Sequence, residues 1–180
     1  YFASMSLPVL ARPVMHALAH ELQETCSLGV LDQDAVVLLA REEPPRLLRV
    51  DLGVGRRLPA FAHSMGRVLL AALDDAAQAA YLRDATLTML TPATTTDPGA
   101  LAGILQRVRK EGHCVLDSEM VDGFGGISVP LLDGQSKVVA ALGLSMVLGR
   151  RSRKDLLRDC LPPLQRAAQQ IEWVLRARAG

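Results

Sequence analysis

Two pairs of apolar runs, each joined by a short polar turn, limit the folds open to this chain. Ser27–Leu31 and Ala35–Arg41 flank Asp32-Gln33-Asp34, while Gly126–Leu132 and Lys137–Met146 flank Asp133-Gly134-Gln135-Ser136. A tight turn between strands sends the chain back antiparallel, whereas a parallel pair needs a crossover of about a dozen residues or more. A third strand is expected at Arg46–Leu52, after Pro44-Pro45, and another at Cys114–Asp117. Hairpins in place of strict βαβ alternation imply an α+β architecture, an antiparallel sheet with helices on its faces.

The helices carry their own punctuation. Val14, Leu18 and Leu22 lie four apart within a helix expected from Pro8 to about Glu24. Ser64–Ala72 reads as a short apolar helix after the Gly53 and Gly55 turn, and Asp74-Asp75 can cap the next, through Tyr81 and Leu82. Asp97-Pro98 places a cap and then a first-turn proline before a helix running to Glu111, with Gly112 to stop it. From Ser152 a long helix with Leu157, Leu161, Leu164, Ala168, Ile171 and Leu175 on one face is expected, interrupted at Pro162-Pro163.

Composition excludes several classes. The chain has 180 residues, 49% of them hydrophobic, enough for one domain with its own core. A formal net charge of +1 argues against a dedicated nucleic-acid binder, and 3% aromatic residues leave little to stack bases on. The uncharged stretch Val138–Gly149 falls short of the roughly 18 residues that a membrane span requires. Cys26, Cys114 and Cys160 form no CxxC pair and suggest reduced thiols in a cytoplasm. Tyr1–Pro13 has no secretion signal, and the chain reads as a domain of a longer protein.

Catalytic motifs are sparse. His16 and His20 have the spacing of two imidazoles on one metal, but no third ligand is evident and solvated or capping histidines explain them better. His113 and Cys114 adjoin on a strand, so their side chains point to opposite faces and cannot form a nucleophile–base pair. There is no GxSxG elbow. Gly123-Phe-Gly-Gly126 enters a strand, the wrong setting for a phosphate cradle, and Arg150-Arg-Ser-Arg-Lys154 reads as a solvated helix start.

One constellation points to a pocket. Leu58–Ala71 is a loop running into an apolar helix, whose first N–H groups are free to receive a carboxylate. Asp117 and Glu119 stand at i, i+2, on one strand face. Gly126 with Ser128, and Gly143 with Ser145, are small or hydroxylic same-face pairs that would leave a cavity with a few polar groups for a small ligand. A small hydrolase or decarboxylase using Asp117, Glu119 and His63 is the alternative; otherwise no catalytic residue, metal or cofactor is expected.

These segments resemble, in order and in spacing, the effector-binding domain of the IclR family of bacterial transcription regulators. The resemblance runs through Leu52-Gly-Val-Gly-Arg-Arg-Leu-Pro59, Ser64-Met-Gly-Arg-Val-Leu-Leu-Ala71 and Leu90-Thr-Pro-Ala-Thr-Thr-Thr-Asp-Pro98. It continues through Val108–Gly112, Asp117-x-Glu119, Gly126-Ile-Ser-Val-Pro130 and Val138-Val-Ala-Ala-Leu142. The branch it most resembles regulates aromatic-acid catabolism, answering to 4-hydroxybenzoate, protocatechuate or β-ketoadipate.

The resemblance implies a GAF-like domain over residues 13–180, with a curved antiparallel sheet, helices on the outside and an effector pocket. Tyr1–Arg12 resembles the end of a linker from an N-terminal winged helix-turn-helix that would make the DNA contacts. It further implies dimers or tetramers, a cytoplasmic location and no membrane contact. The implied pocket comprises His63, Ser64, Met65, Asp117, Glu119, Gly126, Ser128, Gly143 and Ser145. A carboxylate would sit at the Ser64 and Met65 amides, Asp117 would accept from a ligand hydroxyl, and Ser145 and Ser128 would add lateral donors. Where relatives carry Arg then Ser or Cys this chain has Gly125 and Gly126, and Gly143 stands where many carry Ser or Asn. Those losses would enlarge the pocket, while His63, replacing a Ser or Thr, would add a donor cationic below about pH 6.5.

Overall fold

The computed structural model describes residues 2–47 and 53–179. Its helices are α1 (Phe2–Leu22), α2 (Ser64–Ala71), α3 (Asp75–Asp84), α4 (Pro98–Glu111), α5 (Arg153–Asp159) and α6 (Leu161–Ala179). Its strands are β1 (Thr25–Asp32), β2 (Ala35–Glu42), β3 (Arg57–Pro59), β4 (Cys114–Asp117), β5 (Phe124–Leu132) and β6 (Val138–Val147). Among the described residues the six strands form one antiparallel sheet, ordered β3-β2-β1-β6-β5-β4. The α+β expectation and both hairpins hold.

Alternation along the strands separates two cores. One face packs Leu28, Ile127, Leu131, Leu142 and Leu144 against α1, α5 and α6. The opposite face packs Val36, Leu38 and Ala141 against α2 and α4, through Met65, Leu70, Leu101 and Leu105. β1 and β2 lose register between Leu28↔Ala40 and Gly29↔Leu38, so Leu39 is the extra residue of a bulge. The bulge reverses the parity of β2. Leu38 and Arg41, three apart, therefore turn to the same side.

Local chemistry sets the helix ends. Asp97 caps α4 by accepting from Ala100 N–H at 2.6 Å, and Gly112 ends it with φ 74°. Pro162 and Pro163 fall in the first turn of α6, where a backbone donor has no intrahelical acceptor, so they separate α5 from α6 at Cys160. Gly66 allows α2 to touch the 3-10 turn Ala60–Ala62, since a Cβ there would meet the Ala60 carbonyl oxygen at 2.1 Å.

Some boundaries differ from expectation. α1 begins at Phe2 and carries Pro8 and Pro13 internally; Pro13 and Val9, whose carbonyl loses its donor, are both exposed and can be hydrated. The segment read as linker is thus helical from Phe2, with Leu7 and Ala11 in the core. The strand expected at Arg46–Leu52 is absent at Arg46 and Leu47, and its remainder lies outside the described residues; Arg57–Pro59 supplies the third strand instead. No helix among the described residues is long and apolar enough to cross a membrane.

Candidate functional site

The sheet face that carries α2 opens into a cavity of about 210 Å³. The start of α2 forms its floor through His63, Ser64 and Met65, while Ser27, Gly126 and Ser145 come from the central strands. Leu38, Leu58, Leu116, Met120, Val121 and Phe124 make the walls mostly apolar. Arg41 also faces in, brought round by the bulge at Leu39. Its Nε and Nη2 donate to Glu43 Oε1 at 2.9 and 2.6 Å, and its side chain is 13% exposed.

His63 caps α2: its Nδ1 accepts from Met65 N–H at 3.2 Å. Burial pushes its pKa down to about 4, so it stays neutral where the sequence suggested a cation below pH 6.5. The Ser64 N–H belongs to the same first turn, whose donors lack intrahelical acceptors. Ser64 Oγ lies 2.7 Å from Ser128 Oγ, so Ser128 sits buried behind the floor and orients Ser64.

Asp117 is exposed and on the other strand face, because Cys114 and Leu116 take the positions facing α2 and the cavity. It accepts instead from Ser118 Oγ at 2.8 Å. Glu119 does not share its face: β4 ends at Asp117, and Ser118 adopts φ 56°, which breaks the alternation. Glu119 instead accepts two hydrogen bonds of 2.6 Å from Arg67, and a third of 2.8 Å from Thr95 N–H. Burial would raise its pKa, but these bonds and the Arg67 charge hold it below the ordinary carboxylate range. His63, Asp117 and Glu119 are therefore not assembled as an acid–base set.

The glycines also act differently. Gly126 borders the cavity, yet a Cβ there would meet Leu144 O at 2.8 Å and Ser64 Oγ at 3.1 Å. At Gly143 it would meet Ser128 Oγ at 2.5 Å and Met65 Cγ at 2.9 Å. Both glycines clear space for the Ser64–Ser128 pair and Met65; the ligand gains little from Gly143. His16 Nδ1 lies 3.3 Å from Glu42 Oε2, and no group of three or more His, Cys, Asp or Glu among the described residues is placed to hold a metal ion. Sequence reasoning missed Arg41, Ser27 and the apolar loop Met120–Phe124.

The family model for the bacterial transcriptional regulator IclR C-terminal domain matches residues 1–173. The Pca regulon regulatory protein of Pseudomonas putida is 39% identical over 172 residues, covering 95% of this chain; the chain spans 59% of that protein. The inducer-binding domain of the PobR transcription factor from Acinetobacter, a double mutant in complex with 3-hydroxybenzoic acid, superposes with a TM-score of 0.85 at 32% identity, covering 92% of this chain and 97% of that one. An IclR homologue from Microbacterium hydrocarbonoxydans complexed with 4-hydroxybenzoate gives a TM-score of 0.85 at 28% identity, covering 98% of this chain and 70% of that one. These relatives are regulators, not enzymes.

Proposed function

The chain belongs to the IclR family of bacterial transcriptional regulators, as its C-terminal domain, and on that premise we propose that it senses a small aromatic carboxylic acid in the cavity before α2. The observation that carries this reading is the combination of apolar walls, a helix start and one guanidinium around about 210 Å³. An engineered apolar cavity of about 150 Å³ holds a benzene ring, so a substituted ring fits here. Hydroxybenzoates bound to two relatives of the same fold support the ligand class.

The carboxylate takes the Ser64 and Met65 amides, displacing the His63 imidazole from Met65 N–H. A carboxylate among apolar walls needs a counter-charge, and Arg41 is the cation that faces it, exchanging its Glu43 partner for the ligand. Ser145 and Ser27 offer further hydroxyls to the ligand, and Asp117, on the other strand face, offers none of its oxygens. Occupancy would modulate DNA binding or polymerase recruitment by a longer, cytoplasmic, dimeric or tetrameric regulator, whose DNA contacts lie in an N-terminal winged helix. With a net charge of +1, this chain alone supplies little phosphate neutralisation.

Calorimetric titration with benzoate, 4-hydroxybenzoate and 3,4-dihydroxybenzoate, followed by recovery of the ligand, tests the reading. Saturable binding at one site per chain with the acid returned unchanged is the expected result. Turnover, or no binding of any of the three, would overturn it.

A further inference from the structure

A second cavity, of about 170 Å³, lies between the C-terminal half of α4, the edge strand β4 and the first turn of α5. It shares no lining residue with the cavity before α2. Arg67, Arg107 and Arg153 face it, together with His113, Glu111 and Glu119.

The hydrogen bonding there is incomplete at one atom. His113 Nδ1 lies 3.2 Å from the Glu111 carbonyl oxygen, an acceptor only, so Nδ1 carries the proton and Nε2 turns inward. Among the described residues, His113 Nε2 is the buried side-chain nitrogen or oxygen that has no hydrogen-bond partner. The large majority of buried side-chain polar atoms have a partner, so this acceptor in a polar cavity calls for a donor, from water or from a ligand.

The charges select the ligand. Glu119 answers Arg67 through two bonds of 2.6 Å. Glu111 Oε2 is 3.5 Å from both Arg153 Nη2 and His113 Nε2, a loose ion pair with Arg153 that is long for a hydrogen bond to either, and its side chain is 37% exposed. Arg107 has no carboxylate oxygen within 4.0 Å among the described residues. Guanidinium forks favour oxyanions that can accept several hydrogen bonds.

We propose that the cavity between α4, β4 and α5 is a second ligand site, for a small dianion held by Arg107, Arg153 and His113. Binding swings Glu111 out to solvent, and an O–H retained by the ligand donates to Nε2. Inorganic phosphate, which keeps an O–H as its hydrogenphosphate dianion, has this chemistry; a dicarboxylate dianion lacks the donor. The site does not depend on the reading of the cavity before α2.

Titration of the chain with phosphate and, separately, succinate at constant ionic strength tests it, read by the ¹⁵N and ¹H shifts of the His113 ring. Saturation by phosphate with movement of the His113 signals is expected, with succinate, which has no O–H to give, binding at least tenfold more weakly. The double variant Arg107→Ala/Arg153→Ala, with circular dichroism confirming the fold, should lose at least tenfold in affinity. Glu111→Gln should gain affinity. No saturation by phosphate below about 10 mM, an unmoved His113 ring, or binding that survives the double variant would overturn the proposal.

Discussion

Arg67 of α2 and Glu119 beyond β4 meet through two parallel hydrogen bonds of 2.6 Å, the arginine being 2% exposed. Arg67 Nε also donates to Phe61 O at 2.8 Å. Glu119 in turn receives Thr95 N–H, while Thr94 Oγ1 donates to Glu119 O and Thr91 Oγ1 to Ser118 O, each at 2.6 Å. The pair thus ties the helix that floors the cavity to the loop carrying Met120 and Val121, which walls it. A ligand that moves either element must work against this tie.

Glu119→Gln should destabilise the chain by roughly 3–5 kcal/mol, the penalty for leaving a buried charge without its partner. Urea unfolding at pH 7 measures it. Replacing both residues, as Arg67→Met with Glu119→Leu, should restore much of the loss, because the desolvation penalty goes with the charges. A loss below about 1 kcal/mol in Glu119→Gln would place this pair with exposed ones.

His63 sets an acid limit on stability. Its folded pKa of about 4 lies below the ordinary value of 6.5, so between these values the unfolded chain binds the proton and the folded chain does not. Stability is therefore fully present above about pH 6.5 and falls as the pH drops towards 4, by up to roughly 3 kcal/mol. Glu119, held below the ordinary carboxylate range, adds a further loss that begins only lower, below about pH 4.5. His63→Asn keeps a side-chain acceptor for Met65 N–H and should flatten the unfolding midpoint between pH 5 and 6.5, while leaving the lower decline in place.

Arg41→Gln should weaken benzoate by roughly 1.5–3 kcal/mol, the worth of a hydrogen bond to a charged group, and leave the neutral benzamide unaffected. Calorimetry on both ligands separates charge pairing from packing. Asp117→Ala, on the opposite strand face, should change neither affinity.

Gly143→Ala and Gly126→Ser should each lower stability by roughly 1–3 kcal/mol through overpacking. The added Cβ at 143 would press on Ser128 Oγ, and that at 126 on a backbone oxygen that cannot move aside. An unchanged thermal midpoint in either variant would contradict this account of the glycines.

Residues that punctuate the chain were the most legible. Asp97-Pro98 and Gly112 mark α4 correctly because a cap, a first-turn proline and a left-handed stop are local chemistry. The Asp32-Gln33-Asp34 hairpin was readable for the same reason, with Gln33 in the left-handed region at φ 56°. Glu119 was misplaced because strict alternation was carried past Ser118, and Asp117 because its alternation with Cys114 and Leu116 does not say which of the two faces meets α2. Arg41 was invisible because the Leu39 bulge, which turns it inwards, arises from pairing with β1 across the sheet. Alternation says which side chains share a face; which face meets α2 is settled by tertiary packing.

The most direct measurement is a crystal structure of the chain with 4-hydroxybenzoate. The account predicts the ring among Leu116, Met120 and Phe124, its carboxylate on the Ser64 and Met65 amides with Arg41 as counter-charge, and His63 Nδ1 released from Met65 N–H. A ligand bound outside this cavity, or inside it with the carboxylate turned away from both α2 and Arg41, would contradict it.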